Sequence, residues 1–132
     1  ELGPLAREAG LDMIRMATPT TDAKRLPAVL DHASGFLYYV SLNGVTGVGQ
    51  ADNATVRDAI GAIRQQTDIP VCVGFGVRTP EQAARFAQDA EGVVVGSALV
   101  DCIAHAETPE QGVEAVLGLV SDLAAAVKTA RG

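Results

Sequence analysis

Apolar positions gather in four short runs, at residues 11–17, 36–40, 70–74 and 92–96. Val71, Cys72 and Val73, and again Val93, Val94 and Val95, are apolar at successive rather than alternating positions. That pattern predicts strands buried on both faces, as in a parallel sheet covered by helices. A helical pattern follows each run. Thr21 and Asp22 offer a start signal before an apolar stripe of Leu26, Val29 and Leu30, with Pro27 tolerable only in the opening turn. Val56, Ile60 and Ile63 mark the second helix. Thr79-Pro80-Glu81-Gln82 has the form of a capping box and precedes Ala83, Phe86, Ala87 and Ala90. The same four residue types recur at Thr108-Pro109-Glu110-Gln111 and open the strongest helix, striped by Val113, Val116, Leu117, Val120, Leu123, Ala124 and Val127. A short extra helix is expected over residues 97–104.

Strand and helix in regular alternation imply βα units, a parallel sheet and right-handed crossovers. Four such units build either a small doubly wound domain or half of an eight-stranded barrel. A complete barrel needs about 250 residues, and this chain has 132. It begins with Glu1 rather than methionine, which fits a processed, engineered or incomplete chain.

Composition narrows the classes. With 48% hydrophobic and 20% charged residues, a disordered tail is excluded. No apolar run approaches the ~20 residues of a membrane span. Sixteen acidic against ten basic residues, a net charge of −6 and no Lys/Arg cluster argue against nucleic-acid or anionic-membrane partners. Cys72 and Cys102 lack metal-site or CxxC spacing and read as buried free thiols, in keeping with a reducing cytoplasm.

The candidate chemistry lies in three glycine-bearing loops, each after a strand. The second strand runs into Gly44-Val45-Thr46-Gly47-Val48-Gly49, the third into Gly74-Phe75-Gly76-Val77, and the fourth into Gly96-Ser97-Ala98 just before a helix. Singly, Gly76 and Gly96 are explained as well by tight turns as by a ligand. Jointly, glycine loops after two consecutive βα strands, the second opening a short helix, match the phosphate site that barrels build after strands seven and eight. Backbone N–H groups and a helix dipole hold phosphate there, so an acidic chain needs no lysine cluster for it.

On these residues the chain resembles the α subunit of tryptophan synthase. The resemblance runs from about Leu11 to the C-terminus. Its specific core is Tyr38-Tyr39-Val40-Ser41-Leu42-Asn43-Gly44-Val45-Thr46-Gly47, then residues 70–77, then Gly96-Ser97-Ala98, with Ala17-Thr18-Pro19-Thr20-Thr21-Asp22 similar to the family's proline-bearing loop. It implies an α/β fold of parallel βα units, the C-terminal half of a TIM (β/α)8 barrel. All 132 residues would then form one half-barrel domain of four βα units, part of a larger (β/α)8 domain. It also implies a cytoplasmic lyase of tryptophan biosynthesis that cleaves indole-3-glycerol phosphate by a retro-aldol reaction to indole and glyceraldehyde 3-phosphate. Gly47, Gly76, Gly96 and Ser97 match the family's phosphate-binding residues, and Phe75 the pocket wall. Thr46 matches the threonine of the closing loop, and Tyr38 a tyrosine beside the indole. No cofactor or metal is implied for this chain; pyridoxal phosphate belongs to the partner β subunit.

The family's catalytic glutamate and aspartate belong to the other half of the barrel, and nothing here corresponds to them. The acids at Asp22, Asp31, Asp52, Asp58, Asp68, Asp89, Glu81, Glu91, Glu110 and Glu114 read as solvated surface, as does Asp101, four residues after Ser97. His32 and His105 read as helix-end residues. Leu42 and Asn43 stand where many relatives are more polar or basic. The expectation is an intact phosphate half-site without the acids, hence no cleavage by this chain alone. The alternatives are another phosphate-binding barrel and a non-catalytic half barrel that binds phosphate esters or a partner protein, pairing as a homodimer through its open edges.

Overall fold

The computed structural model describes residues 2–41, 53–74 and 76–132. Its elements are α1 (Leu2–Glu8), β1 (Arg15–Ala17), α2 (Leu26–Leu30), β2 (Leu37–Val40), α3 (Asn53–Arg64), β3 (Val71–Gly74), α4 (Pro80–Ala87), β4 (Gly92–Val94), α5 (Ser97–Ala104) and α6 (Pro109–Ala130). The four strands pair in chain order, β1-β2-β3-β4, and every pair is parallel.

Consecutive order has a geometric consequence. Right-handed crossovers without a reversal of direction send every helix to the same side of the sheet. The core bears this out. Ala17, Leu37, Tyr39, Val71 and Val73 pack with Leu26 of α2, Val56, Ile60 and Ile63 of α3, Ala83 and Phe86 of α4, and Leu123 of α6. The opposite face carries Met16, Tyr38 and Cys72 at one register level. Met16 is 57% exposed, against 1% for its neighbour Ala17. The expectation of strands covered on both faces is therefore corrected: among the described residues helices cover only one face, and the side chains of the other stand where a barrel interior would be.

Several local expectations are met and several are not. Thr79 forms a full capping box, its hydroxyl accepting the Gln82 N–H at 3.3 Å while Gln82 Oε1 accepts the N–H groups of Thr79 and Arg78. Thr108 caps α6 in the same way, but Gln111 reaches one residue further back, to the Glu107 N–H. Asp22 does not open α2. Its carboxylate accepts the N–H groups of Lys24 and Arg25 at 3.0 and 2.9 Å, shaping a turn, and the helix proper starts at Leu26 with Pro27 in its first turn. Helix α1 lies where no helix was expected, since Gly3 and Pro4 weaken its signal. The long stripe of α6 divides: Leu123 is buried, whereas Val113, Leu117 and Val120 are 60%, 63% and 42% exposed. Val113 and Leu117 border a groove of about 570 Å³ with Ile103 of α5 and Ala106 just beyond it. Cys72 and Cys102 are free but only half-buried, not buried as expected. Burial, then the nearby Glu91 charge, pushes the Cys72 thiol above its ordinary value, with Arg131 opposing.

Glu91 is not plain surface either. At the start of β4 its carboxylate accepts the Val71 N–H at 2.8 Å and pairs with Arg64, while Arg131, just past α6, donates to the Ala90 and Glu91 carbonyls. This network ties α3, α6 and two strands together at the N-terminal end of the sheet. Partial burial opposes ionisation of Glu91, but the Val71 hydrogen bond and the Arg64 hydrogen bond and charge outweigh it and hold the carboxyl below its ordinary value. A carboxyl lowered on folding stabilises the native state above its unfolded value of about 4.3, and the contribution is lost as pH falls through the lower folded value. Replacing Glu91→Gln is expected to cost about 1 kcal/mol at pH 7, since both partners are nearly half exposed. Urea unfolding followed from pH 7 to pH 3 should show the gap from wild type closing at the acid end.

Candidate functional site

Three sequence-predicted positions, Gly76, Gly96 and Ser97, follow the C-terminal ends of the adjacent strands β3 and β4. Parallel sheets place their ligands there, because the loops that leave those ends are free of the packing that the strands must satisfy. Gly76 follows β3 with φ +75°, a left-handed conformation that a side chain disfavours, and a Cβ there would meet nothing within 4 Å. Its glycine thus serves the turn and leaves open space beside it. Gly96 caps α5, its carbonyl accepting the Leu99 and Val100 N–H groups, and Ser97 is the first helical residue. Gly96 and Ser97 are exposed, and a Cβ at Gly96 would also meet nothing within 4 Å. The start of a helix bearing an exposed hydroxyl on an open glycine corner suits an anion.

Tyr38 reaches the same end of the sheet by leaning across β3. A Cβ on Gly74 would lie 2.7 Å from its hydroxyl, 2.8 Å from its ring and 2.8 Å from the Val94 carbonyl oxygen. Gly74 is therefore the small partner over which the tyrosine ring lies. The same device recurs one strand on, where a Cβ on Gly92 would lie 2.6 Å from Cys72 Sγ. On this face each of these glycines thus makes room for a side chain of the preceding strand. Tyr39, next in the chain, points the other way, 2% exposed beneath the helices, where burial pushes its phenol up.

Ser41 carries a role that the sequence did not single out. It is 1% exposed at the end of β2 and donates through both its N–H and its hydroxyl to the Gly74 carbonyl, each at 3.0 Å. This holds the end of β3 at the point where the Gly76 turn departs. Its signal was present, a serine after a run of buried apolar residues, but periodicity assigns such a residue no partner. Thr46, Gly47 and Phe75 lie outside the described residues.

The carboxylates near these strand ends are already engaged. Asp22 is held by two backbone N–H groups, and Asp101 of α5 pairs with Arg78, two residues after Gly76. His105 closes the far end of α5, its Nδ1 2.7 Å from the Asp101 carbonyl, and His32 sits after α2 beside Asp31 and Arg7, so both stay helix-end residues. Among the described residues no group of three His, Cys, Asp or Glu side chains gathers as a metal site. The groove between α5 and α6 is apolar and distinct from the strand ends.

A sequence model of the tryptophan synthase alpha chain matches residues 1–128. The chain belongs to the tryptophan synthase alpha chain family. It is 59% identical to the tryptophan synthase alpha chain of Novosphingobium aromaticivorans over 131 residues, 99% of this chain and 48% of that one. Among solved structures, tryptophan synthase subunit alpha of Legionella pneumophila superposes with a TM-score of 0.81 at 32% identity, covering 97% of this chain and 47% of the other. The aminoacrylate-bound tryptophan synthase of M. tuberculosis gives 0.77 at 33% identity over 96% and 44%. The chain thus spans about half the length of the tryptophan synthase alpha chains it matches, and its four parallel strands correspond to half of a TIM barrel. No helix among the described residues is long and apolar enough to cross a membrane.

The packing of the alpha-chain face is testable. Gly74→Ala drives a methyl group against a ring and a backbone carbonyl, neither able to yield freely, and is expected to cost about 2 kcal/mol. Gly92→Ala meets only the Cys72 sulfur, which can rotate, and is expected to cost less than about 1 kcal/mol. Urea unfolding of both variants, with and without Cys72→Ala, checks the order: Cys72→Ala should relieve Gly92→Ala and leave Gly74→Ala unrelieved.

Proposed function

We propose that the chain is the phosphate-gripping half of a tryptophan synthase alpha-type lyase, a (β/α)8 enzyme that cleaves indole-3-glycerol phosphate to indole and glyceraldehyde 3-phosphate. The observation that carries this is the placement of the Gly76 turn and the Gly96–Ser97 helix start at the C-terminal ends of two adjacent strands, with open space at both glycines. In this reading Gly76, Gly96 and Ser97, with Gly47, hold the phosphate; Phe75 walls the pocket, Tyr38 lies beside the indole and Thr46 serves the closing loop.

Cleavage needs a general acid to protonate the indole carbon and a general base to take the proton of the glycerol hydroxyl whose carbon becomes the aldehyde, in a site closed to water. With Asp22 and Asp101 engaged, those groups come from the other four βα units of the barrel. This half contributes grip: binding energy from the unreactive phosphate holds the scissile bond between acid and base. The chain itself supplies no cofactor chemistry in this scheme; pyridoxal phosphate belongs to a β subunit that receives the indole.

Calorimetric titration with glycerol 3-phosphate tests the grip. The wild-type chain should bind it, Gly96→Ala should keep its stability yet bind more weakly, and Ser97→Asp should lose binding at least about tenfold through like-charge repulsion. The chain alone should not turn over indole-3-glycerol phosphate. Measured turnover would overturn the division of labour, and absent phosphate binding in wild type would overturn the functional reading.

The uncovered face favours a second body. Its residues and both edge strands call for closure by four further strands. In their absence two copies pairing β4 to β1 rebuild eight strands. Light scattering of the purified chain should therefore report a dimer, and addition of the complementary four units should convert it to a one-to-one complex.

A further inference from the structure

Asp101 presents an electrostatic problem to the phosphate site. It stands four residues after Ser97 on α5, on the same side of the helix and one turn, about 5.4 Å, further along. A carboxylate so close to an anion held at the helix start opposes the dipole that favours that anion. The structure supplies the counter-charge from the neighbouring loop, where Arg78 reaches across and pairs with Asp101. The arginine is itself well anchored. Val77 before it is 3% exposed, and its own N–H donates to Gln82 Oε1 at 2.8 Å, beside the Thr79 capping box.

We propose that Arg78 and Asp101 form a charge-balancing clamp, in which Arg78 cancels the Asp101 charge that would otherwise oppose a phosphate held at the Gly96–Ser97 helix start. The inference rests on the phosphate reading above and assigns positioning roles to two residues outside it. The pair contributes little to folding, because the two side chains are 55% and 42% exposed. Its effect falls on the anion. Removing the arginine leaves an uncompensated carboxylate about one turn from a phosphate carrying close to two negative charges at pH 7.5.

The test is a double-mutant cycle on the 132-residue chain, with glycerol 3-phosphate affinity from calorimetry and urea unfolding as a control for the fold. Arg78→Ala is expected to weaken binding about five- to tenfold, an effect that shrinks with added salt. Asp101→Asn should bind at least as well as wild type. The double variant should recover to within about twofold of wild type, since the charge that Arg78 balances is gone. If both single variants weaken binding equally and the double variant does not recover, the pair is a tether and the charge balance is refuted. If Arg78→Ala and the double variant are equally weak while Asp101→Asn is unaffected, Arg78 touches the phosphate directly and the proposal again fails. Unchanged affinity in all three refutes any role for the pair. Absence of binding by wild type is distinct from these, and overturns the phosphate reading together with the clamp.

Discussion

The constraint on which the molecule depends is the handedness of parallel crossovers. Four strands laid down in chain order, each linked to the next by a right-handed turn, place their helices on one side. One face of the sheet then builds a conventional core, with Leu37, Tyr39, Val71 and Val73 under α2, α3, α4 and α6. The other face is left to be closed by strands that curve round to meet it. The exposed Met16 follows from that asymmetry.

The two ends of the sheet divide the work. At the N-terminal end, Glu91, Arg64 and Arg131 bind α3, α6 and the strands into a frame. At the C-terminal end the chain uses glycine in two unlike ways. Gly76 and Gly96 leave space for something to approach, whereas Gly74 is already occupied by Tyr38. Ser41 joins the two regimes by pinning the Gly74 carbonyl, so that the packed layer fixes where the open loops begin. Among the described residues, this rim is shaped by contacts between adjacent βα units.

Much was legible in the residues because much is local. The capping box at Thr79, the Thr108 cap, the apolar runs of the strands and the Gly76 turn depend on neighbours within a few positions, and sequence reports such neighbours directly. Asp22 was misread because an aspartate that shapes a turn and one that caps a helix use the same carboxylate on nearby N–H groups, and only the backbone tells them apart. Glu91 was misread because its partners lie 20 and 27 residues away in the chain, beyond any periodic signal.

By itself, then, the sequence determined the four parallel βα units, the family, and which glycine loops stand at strand ends. Periodicity, caps and motif identity suffice for those. The tertiary structure alone decided which glycines are packed against side chains and which are open, and that Asp101 answers to Arg78. These are matters of which face a strand presents and of which distant side chain arrives there. They are set by register and crossover hand, and no count of residues along the chain contains them.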